Sequence, residues 1–118
     1  MEYTTLGTTG IEVSRLCVGC MSFGKANRDE WMLDEAGGRE LIERAIELGI
    51  TFFDTANVYS QGESEAILGD VLAEYDRDRF TVGTKVYFEM DDNPHSRGLS
   101  RKTIEQELAN SLDRLGMD

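Results

Sequence analysis

The sequence predicts an α/β fold in which three strand–helix units form a parallel sheet behind an N-terminal β-hairpin. Short runs of β-branched and aromatic residues alternate with segments whose apolar residues recur at helical spacing. The strands of the three units start near residues 16, 50 and 80. Strands that alternate with helices pair in parallel through right-handed crossovers. Units of about 30 to 35 residues are typical of a (β/α)8 barrel of roughly 250 residues, so three units predict an incomplete barrel.

The first segment, Tyr3 to Val13, predicts the hairpin. Two strand-like runs flank Gly7 to Gly10, which leaves about four residues for the turn. We expect this hairpin to cap another part of the fold. The next strand is predicted at Leu16 to Cys20, and a long polar loop from Met21 to Asp34 follows it and contains Trp31.

Two helices frame the central strand. The first is predicted from about Ala36 to a stop at Gly49, and the strand Ile50 to Asp54 follows at once. The second begins near Ser64 and ends at Asp76 to Arg79. The apolar face expected to be buried in the first helix consists of Leu41, Ile42, Ala45, Ile46 and Leu48. The corresponding face of the second helix consists of Ile67, Leu68, Val71, Leu72 and Tyr75.

The last unit begins with a strand at Phe80 to Val86. A loop from Tyr87 to Leu99 follows, and Ser100 is suited to cap a third helix that Gly116 closes. The residues of this helix expected to be buried are Ile104, Leu108, Leu112 and Leu115.

Length and composition limit the function. A chain of 118 residues is long enough for one domain with a core and too short for two. The net charge of −11, from 23 acidic and 12 basic residues, argues against nucleic acid and anionic membranes as partners, because both are polyanions. Charges or glycines interrupt every apolar run, and Met1 to Gly10 lacks the features of a signal peptide, so we expect no membrane span and a cytoplasmic protein.

Cys17 and Cys20 form a C-x-x-C sequence, a spacing found in redox pairs and zinc knuckles. A metal site needs more ligands than His95 can add, and a redox pair normally opens a helix. Residues three apart on a strand point to opposite faces. We therefore expect two separately packed thiols and no metal.

Three ionisable residues, Asp54, Tyr59 and Lys85, fall at or just beyond strand ends. The carboxyl ends of parallel strands share one edge, so these groups are expected to converge. An ammonium beside a phenol favours the phenolate, and a carboxylate keeps the ammonium charged. Such a tyrosine can give a proton to a carbonyl oxygen and take it back. Taken alone, Asp54 is also consistent with a cap for the following turn, Tyr59 with a half-buried packing residue and Lys85 with a lysine at the rim of the sheet. The coincidence of all three at matched strand ends favours a site.

Several segments resemble the aldo/keto reductases, and most closely the bacterial and archaeal branch that also resembles potassium-channel β-subunits. The segments that carry this resemblance are G-C-M-S-F-G at 19–24, F-F-D-T-A-N-V-Y at 52–59, G-E-S-E at 62–65, T-K-V at 84–86 and G-L-S-R-K-T-I-E-Q-E-L-A-N-S-L-D-R-L-G-M-D at 98–118. The resemblance extends over essentially the whole chain, and the D-T-A-x-x-Y block with its later T-K is its most specific part.

The resemblance implies a role for each matching residue. Tyr59 would be the general acid, Lys85 the partner that lowers the phenol pKa, and Asp54 the carboxylate that pairs with the lysine near the nicotinamide ribose. Cys20 and Met21 would lie in a loop that contacts the cofactor. The implied reaction is hydride transfer from NADPH to an aldehyde or ketone, in a (β/α)8 barrel that the hairpin plugs from below.

Two parts of the family pattern that bear on activity are not found in these residues. The family's catalytic histidine follows the fourth strand, beyond Asp118, and the loops after strands seven and eight that hold the cofactor's adenine and 2′-phosphate are also outside these residues. His95, beside Pro94 in a charged loop, is expected to be solvated rather than catalytic. We therefore expect this chain to form the N-terminal part of an aldo/keto reductase barrel domain and to show no turnover as 118 residues alone. We also expect it to self-associate through the open barrel edge or to be partly unfolded.

Two alternatives remain open at this stage. Gly19 to Lys25 fits G-x-x-x-x-G-K after a strand, as in a nucleotide-binding phosphate loop, but Ala26 replaces the hydroxyl residue that holds Mg²⁺. The second alternative is a catalytically inactive fragment that only binds a partner. The substrate is not identified by the sequence; the loop residues able to line a pocket are Trp31, Tyr87, Phe88 and Met90.

Overall fold

The computed structural model describes residues 1–25 and 29–118 of the chain. Five short strands and three helices follow the predicted order. The strands are β1 (Tyr3–Thr5), β2 (Glu12–Ser14), β3 (Val18–Gly19), β4 (Phe52–Asp54) and β5 (Thr81–Gly83). The helices are α1 (Glu35–Glu47), α2 (Glu63–Leu72) and α3 (Arg101–Leu115). No helix in the described part of the chain is both long and apolar enough to cross a membrane.

The central sheet is parallel, as predicted, with the strand order β3-β4-β5. Its register places Gly19 beside Asp54, and Asp54 beside Gly83. Within the described residues the sheet has these three strands and does not close on itself. The prediction of an α/β fold with a partial sheet is therefore confirmed.

The hairpin lies at the amino ends of the sheet strands. β1 and β2 pair antiparallel. The amide of Ser14 donates to Thr51 Oγ1, and the amide of Thr51 donates to Ser14 Oγ, both at 3.0 Å, just before β4. Tyr3 Oη donates to the carbonyl of Gly49 at 2.9 Å. These hairpin contacts leave the carboxyl ends of the sheet strands uncovered.

The three sheet strands are shorter than the sequence runs that predicted them, because the chain leaves the ladder soon after Asp54 and Gly83. Backbone bonds continue both pairings past the strand ends: Cys20 N–H donates to the carbonyl of Asp54 and Thr55 N–H to the carbonyl of Gly83, both at 2.8 Å, and Asn57 N–H donates to the carbonyl of Lys85 at 3.1 Å. The apolar runs therefore predict where the strands lie but overestimate their length.

One core joins the sheet to α1 and α2. Phe53 is fully buried while its neighbours in β4 are half-exposed, as expected when successive strand residues face opposite sides. Ile42 and Leu68 meet it from the helices, and both are fully buried. Burial of each such side chain stabilises the fold by roughly 1.5–3 kcal/mol. The apolar faces predicted for α1 and α2 are largely correct, although Leu41 and Leu48 are exposed.

The buried face predicted for α3 is wrong in part. Ile104 and Leu108 are 41% and 46% exposed, and only Leu115 of the predicted set is fully inside. The residues of α3 that are buried are Thr103, Glu107, Ser111 and Leu115. Small and hydrogen-bonding side chains occupy this face because α3 lies very close to α2 and bonds to groups at the carboxyl edge of the sheet.

Candidate active site

Asp54, Lys85 and Tyr59 meet at the carboxyl edge of the sheet. Asp54 is the last residue of β4, and Lys85 follows β5 by two residues, so the parallel register brings the two side chains side by side. Lys85 Nζ donates to Asp54 Oδ2 at 2.7 Å, to the carbonyl oxygen of Thr55 at 2.7 Å and to Tyr59 Oη at 3.3 Å. Nζ also lies 4.9 Å from the centre of the Tyr59 ring.

The three contacts of the Lys85 ammonium fix the direction of the Tyr59 hydroxyl. An ammonium has three donors and no acceptor, and here each donor has its own oxygen. The Tyr59 oxygen must therefore accept from Lys85, which leaves the phenolic hydrogen to point to another acceptor. That hydrogen is what a general acid needs to offer to a carbonyl oxygen.

The charges of the site keep Lys85 protonated. Burial is the largest single influence on the Lys85 pKa and lowers it, but the hydrogen bonds and charges of Asp54 and Tyr59 together outweigh burial and raise the pKa above its ordinary value. The side chains of Lys85 and Asp54 are 49% and 43% exposed. The ion pair is thus open to a ligand, and solvent screening limits its effect on stability.

The turn that carries Tyr59 has an unusual backbone. A 3₁₀ turn spans Tyr59–Gly62, and Ser60 and Gln61 have φ of 49° and 54°, a left-handed conformation that costs about 1 kcal/mol or more in residues other than glycine. Ser60 Oγ donates to the carbonyl of Phe23 at 2.9 Å. At Gly24 a Cβ would lie 2.1 Å from Ser60 Oγ. The loop after β3 and the Tyr59 turn are therefore packed together, which nothing in the sequence predicted.

Cys17 and Cys20 are unpaired thiols in different surroundings, as the alternation of strand faces predicted. Cys20 is fully buried in the core, and burial, followed by the nearby Cys17, raises its pKa to about 12 against the opposing hydrogen bond to the Asp54 backbone. Cys17 is exposed, and its pKa is raised by partial burial and by the Asp54 charge against the opposing effect of Lys85. In the described part of the chain no group of three or more His, Cys, Asp or Glu side chains is arranged to hold a metal.

Cys20 and Met21 differ in what they present at the site. The Cys20 side chain packs in the core, and its amide and carbonyl are bonded to Asp54 and Ser64. Met21 is 54% exposed just beyond β3. The cofactor contact expected of both residues stays a prediction.

The other residues singled out from sequence make no hydrogen bond to Asp54, Lys85 or Tyr59 among the described contacts. His95 is in the exposed loop after β5, where its amide donates to Asn93 Oδ1 at 3.0 Å. Trp31 is 56% exposed. Tyr87 and Phe88 are also exposed and form an edge-to-face pair with ring centres 5.2 Å apart, two to three residues after Lys85.

The segment Gly19 to Lys25, considered above as a phosphate loop, is engaged with protein groups. The amide of Lys25 donates to Glu63 Oε2 at 2.8 Å, and its ammonium lies 3.3 Å from Glu63 Oε1. Ala26, the position that decides the motif, lies outside the described residues.

Buried polar residues around the site were missed by sequence reasoning. Glu65 and Glu107 are buried although both occupy helices, where acidic residues usually face solvent. Asn57, between Asp54 and Tyr59, is also buried and donates to Glu107 Oε2 at 3.1 Å. The only sequence signal for these residues is their place inside the segments that carry the family resemblance.

The chain belongs to the aldo/keto reductase family, a class of oxidoreductases. The family's sequence profile matches residues 15–118. Among curated proteins it is 38% identical to versiconal hemiacetal acetate reductase of Aspergillus parasiticus, over 98% of this chain and 39% of that protein. It is also 36% identical to a probable voltage-gated potassium channel subunit beta of Oryza sativa subsp. japonica, over 100% of this chain and 35% of that protein.

A solved structure confirms the fold. The aldo-keto reductase AKR11C1 from Bacillus halodurans, in its holo form, matches 100% of this chain and 37% of its own, with a TM-score of 0.84 and 32% identity. The chain therefore has the architecture of the first units of a (β/α)8 barrel, as predicted. It spans about two fifths of the length of the relatives it matches.

Proposed function

We propose that this chain provides the proton-donating half of an NADPH-dependent carbonyl reductase, in which Tyr59 protonates the oxygen of an aldehyde or ketone. The observation that carries the proposal is the three-point contact of the Lys85 ammonium with Asp54, Thr55 and Tyr59. Family membership supports the reaction class.

The roles of the three side chains follow from their contacts. Lys85 places a positive charge against the Tyr59 oxygen, where negative charge develops as the proton is transferred. Asp54 holds that ammonium charged and oriented. Negative charge that develops on the carbonyl oxygen is neutralised by the proton from Tyr59, since the phenolic hydrogen is not used by Lys85.

The residues present fit a nicotinamide cofactor at the same edge. Asp54 remains 43% exposed while bound to Lys85, so its carboxylate is open to a ribose hydroxyl. Met21 offers an exposed apolar side chain beside the end of β3. The cofactor would supply the hydride, while the preference for NADPH over NADH rests on the family resemblance.

The test is aldehyde reduction followed by NADPH absorbance, using the chain alone and the chain with any sequence that adjoins it in its gene. Tyr59→Phe is expected to lower turnover by about 10²–10⁴-fold, the usual contribution of a general acid, with NADPH binding retained. Tyr75→Phe is the matched control, because Tyr75 packs edge-on against Phe80 in the core. Turnover by Tyr59→Phe equal to that of the control would refute the assignment.

We also propose that the 118-residue chain self-associates through the free edge of β5 and the apolar side of α3. β5 is the last strand of the described sheet, and an unpaired edge with a neighbouring apolar surface favours association. The large apolar side chains exposed beyond β5 are Tyr87, Phe88, Leu99, Ile104 and Leu108.

A further inference from the structure

The first turn of α2 contacts the carboxyl ends of all three sheet strands. Ser64 Oγ donates to the carbonyl of Cys20, after β3, at 2.7 Å, and lies 2.9 Å from Thr55 Oγ1, after β4. Thr84 Oγ1, after β5, donates to Glu65 Oε1 at 2.6 Å. Ser64 and Glu65 are both fully buried. Two consecutive side chains thus bridge the three segments on which the candidate site stands.

Thr55 and Thr84, the two threonines bound by α2, each adjoin a residue of the proposed reaction. Thr55 follows Asp54, and its carbonyl oxygen accepts from the Lys85 ammonium. Thr84 precedes Lys85 in the chain. Movement of either threonine would therefore change the distance between the Lys85 ammonium and its oxygen partners.

The Glu65 carboxylate has a second partner besides Thr84. Arg114 Nε, on α3, donates to Glu65 Oε2 at 2.6 Å, and the Arg114 side chain is 25% exposed. Short bonds to ionised groups are stronger and more directional than neutral ones. A buried ion pair is weak evidence for stability, because apolar residues of similar volume often do as well. What the pair adds here is a fixed direction for the Thr84 hydroxyl.

α3 supplies a second bridge to the same place. Asn57 N–H donates to the carbonyl of Lys85 at 3.1 Å, and the Asn57 side chain is held by Glu107. Glu107 is 3% exposed and also accepts from Asn110. Two buried carboxylates therefore hold this segment: Glu65 binds the Thr84 hydroxyl, and Glu107 binds Asn57, whose amide donates to the Lys85 carbonyl.

We propose that Glu65, with Ser64, is a positioning residue for the proposed reaction: it fixes the Thr84–Lys85 segment so that the ammonium reaches Asp54 and Tyr59. The inference rests on the proposed function, in which Lys85 and Tyr59 act on the substrate. Glu65 makes no hydrogen bond to Lys85 or Tyr59; it acts through Thr84.

The test measures the titration of the Lys85 ammonium in the whole 118-residue chain, by NMR of 13C at the lysine ε-carbons. Lys25, Lys85 and Lys102 are the lysines of the chain, and Lys85→Met identifies the resonance. Thr84→Val removes the hydroxyl with little change in side-chain volume and none in charge. Thr84→Ser keeps the hydroxyl and removes only the methyl group. Thr81→Val makes the same substitution at the other end of β5, and Glu63→Gln is the charge-matched control for Glu65→Gln.

We expect the Lys85 titration midpoint to fall toward the ordinary lysine value in Thr84→Val and Glu65→Gln, and to stay at the wild-type value in Thr84→Ser, Thr81→Val and Glu63→Gln. Circular dichroism at each pH confirms that a variant is folded; if Glu65→Gln does not fold, the comparison of Thr84→Val with Thr84→Ser decides. A purely structural role would lower the melting temperature of Thr84→Val and leave the Lys85 midpoint unchanged, and that result would overturn the proposal.

This measurement needs no turnover, so its failure is separable from that of the proposed function. An unchanged Lys85 midpoint in Thr84→Val refutes the positioning role even if Tyr59→Phe abolishes reduction. A fall of the midpoint together with full activity in Tyr59→Phe refutes the reductase assignment and leaves the positioning of Lys85 by Glu65 in place.

Discussion

Gly69→Ala tests the close approach of α2 and α3 on which the buried bridges depend. A Cβ at Gly69 would lie 2.4 Å from the carbonyl oxygen of Leu115 and 2.7 Å from its Cα and carbonyl carbon. Ordinary contact between such atoms begins near 3.4 Å, so the two helices would have to separate by about 1 Å. The obstacle is backbone, which cannot rotate away as a side chain can.

The expected size of the effect combines two opposing terms. Overpacking of a rigid contact costs about 1–3 kcal/mol, and the upper part of that range applies because backbone is displaced. Replacing glycine by alanine inside a helix returns about 1 kcal/mol. We therefore expect the free energy of unfolding to fall by about 2 kcal/mol, which lowers Tm by roughly 8 °C in a domain of this size.

The assay is thermal and urea unfolding followed by circular dichroism, with Gly37→Ala as the matched control. Gly37 is in α1, and a Cβ there would meet the Leu33 side chain at 3.3 Å, which can adjust. The control should be neutral or stabilised by up to about 1 kcal/mol. Stability of Gly69→Ala equal to or above that of Gly37→Ala would show that α2 and α3 are not in contact at this point.

Two further predictions concern charge and association. In Asp54→Asn we expect the Lys85 pKa to fall, because burial lowers it and the Asp54 hydrogen bond is the strongest influence that opposes burial. NMR titration should therefore show that the variant loses its Lys85 proton at a lower pH than wild type. Because the Lys85 pKa is raised in the folded state, Lys85 stabilises wild type at pH values below the ordinary lysine pKa, and this stabilisation is lost as the pH rises through the folded pKa. Urea melts across that pH range should show a smaller loss of stability in Asp54→Asn. For self-association, sedimentation should show oligomers that dissociate in Leu108→Glu, whereas a compact wild-type monomer with a cooperative melt would contradict the proposal.

The sequence predicted the sheet and the convergence of the ionisable residues because both follow from short-range patterns. Strand ends of parallel units share an edge, so Asp54 and Lys85 had to be neighbours once β4 and β5 paired in register. The D-T-A-x-x-Y block and the later T-K then placed Tyr59 with them by resemblance. The structure adds the 3.3 Å contact that joins the Lys85 ammonium to the Tyr59 oxygen.

The parts that could not be predicted depend on long-range contacts. Apolar periodicity assigned Ile104 and Leu108 to the core, whereas α3 turns Glu107 inward, where its partner Asn57 comes from a distant segment. Similarly, the left-handed Ser60 and Gln61 have no propensity for that backbone. Ser60 is held by a hydrogen bond to the carbonyl of Phe23, which is far away in sequence.

The central claim is that Lys85 and Tyr59 act as one unit on the substrate oxygen, and a double-variant comparison tests it most directly. kcat/KM for aldehyde reduction would be measured for Lys85→Met, Tyr59→Phe and the double variant, in the chain with any sequence that adjoins it in its gene. Residues that act as a unit give strongly non-additive losses. We predict that the double variant loses no more activity than Tyr59→Phe alone; losses that multiply would mean that the two residues act independently, contrary to the geometry of the site.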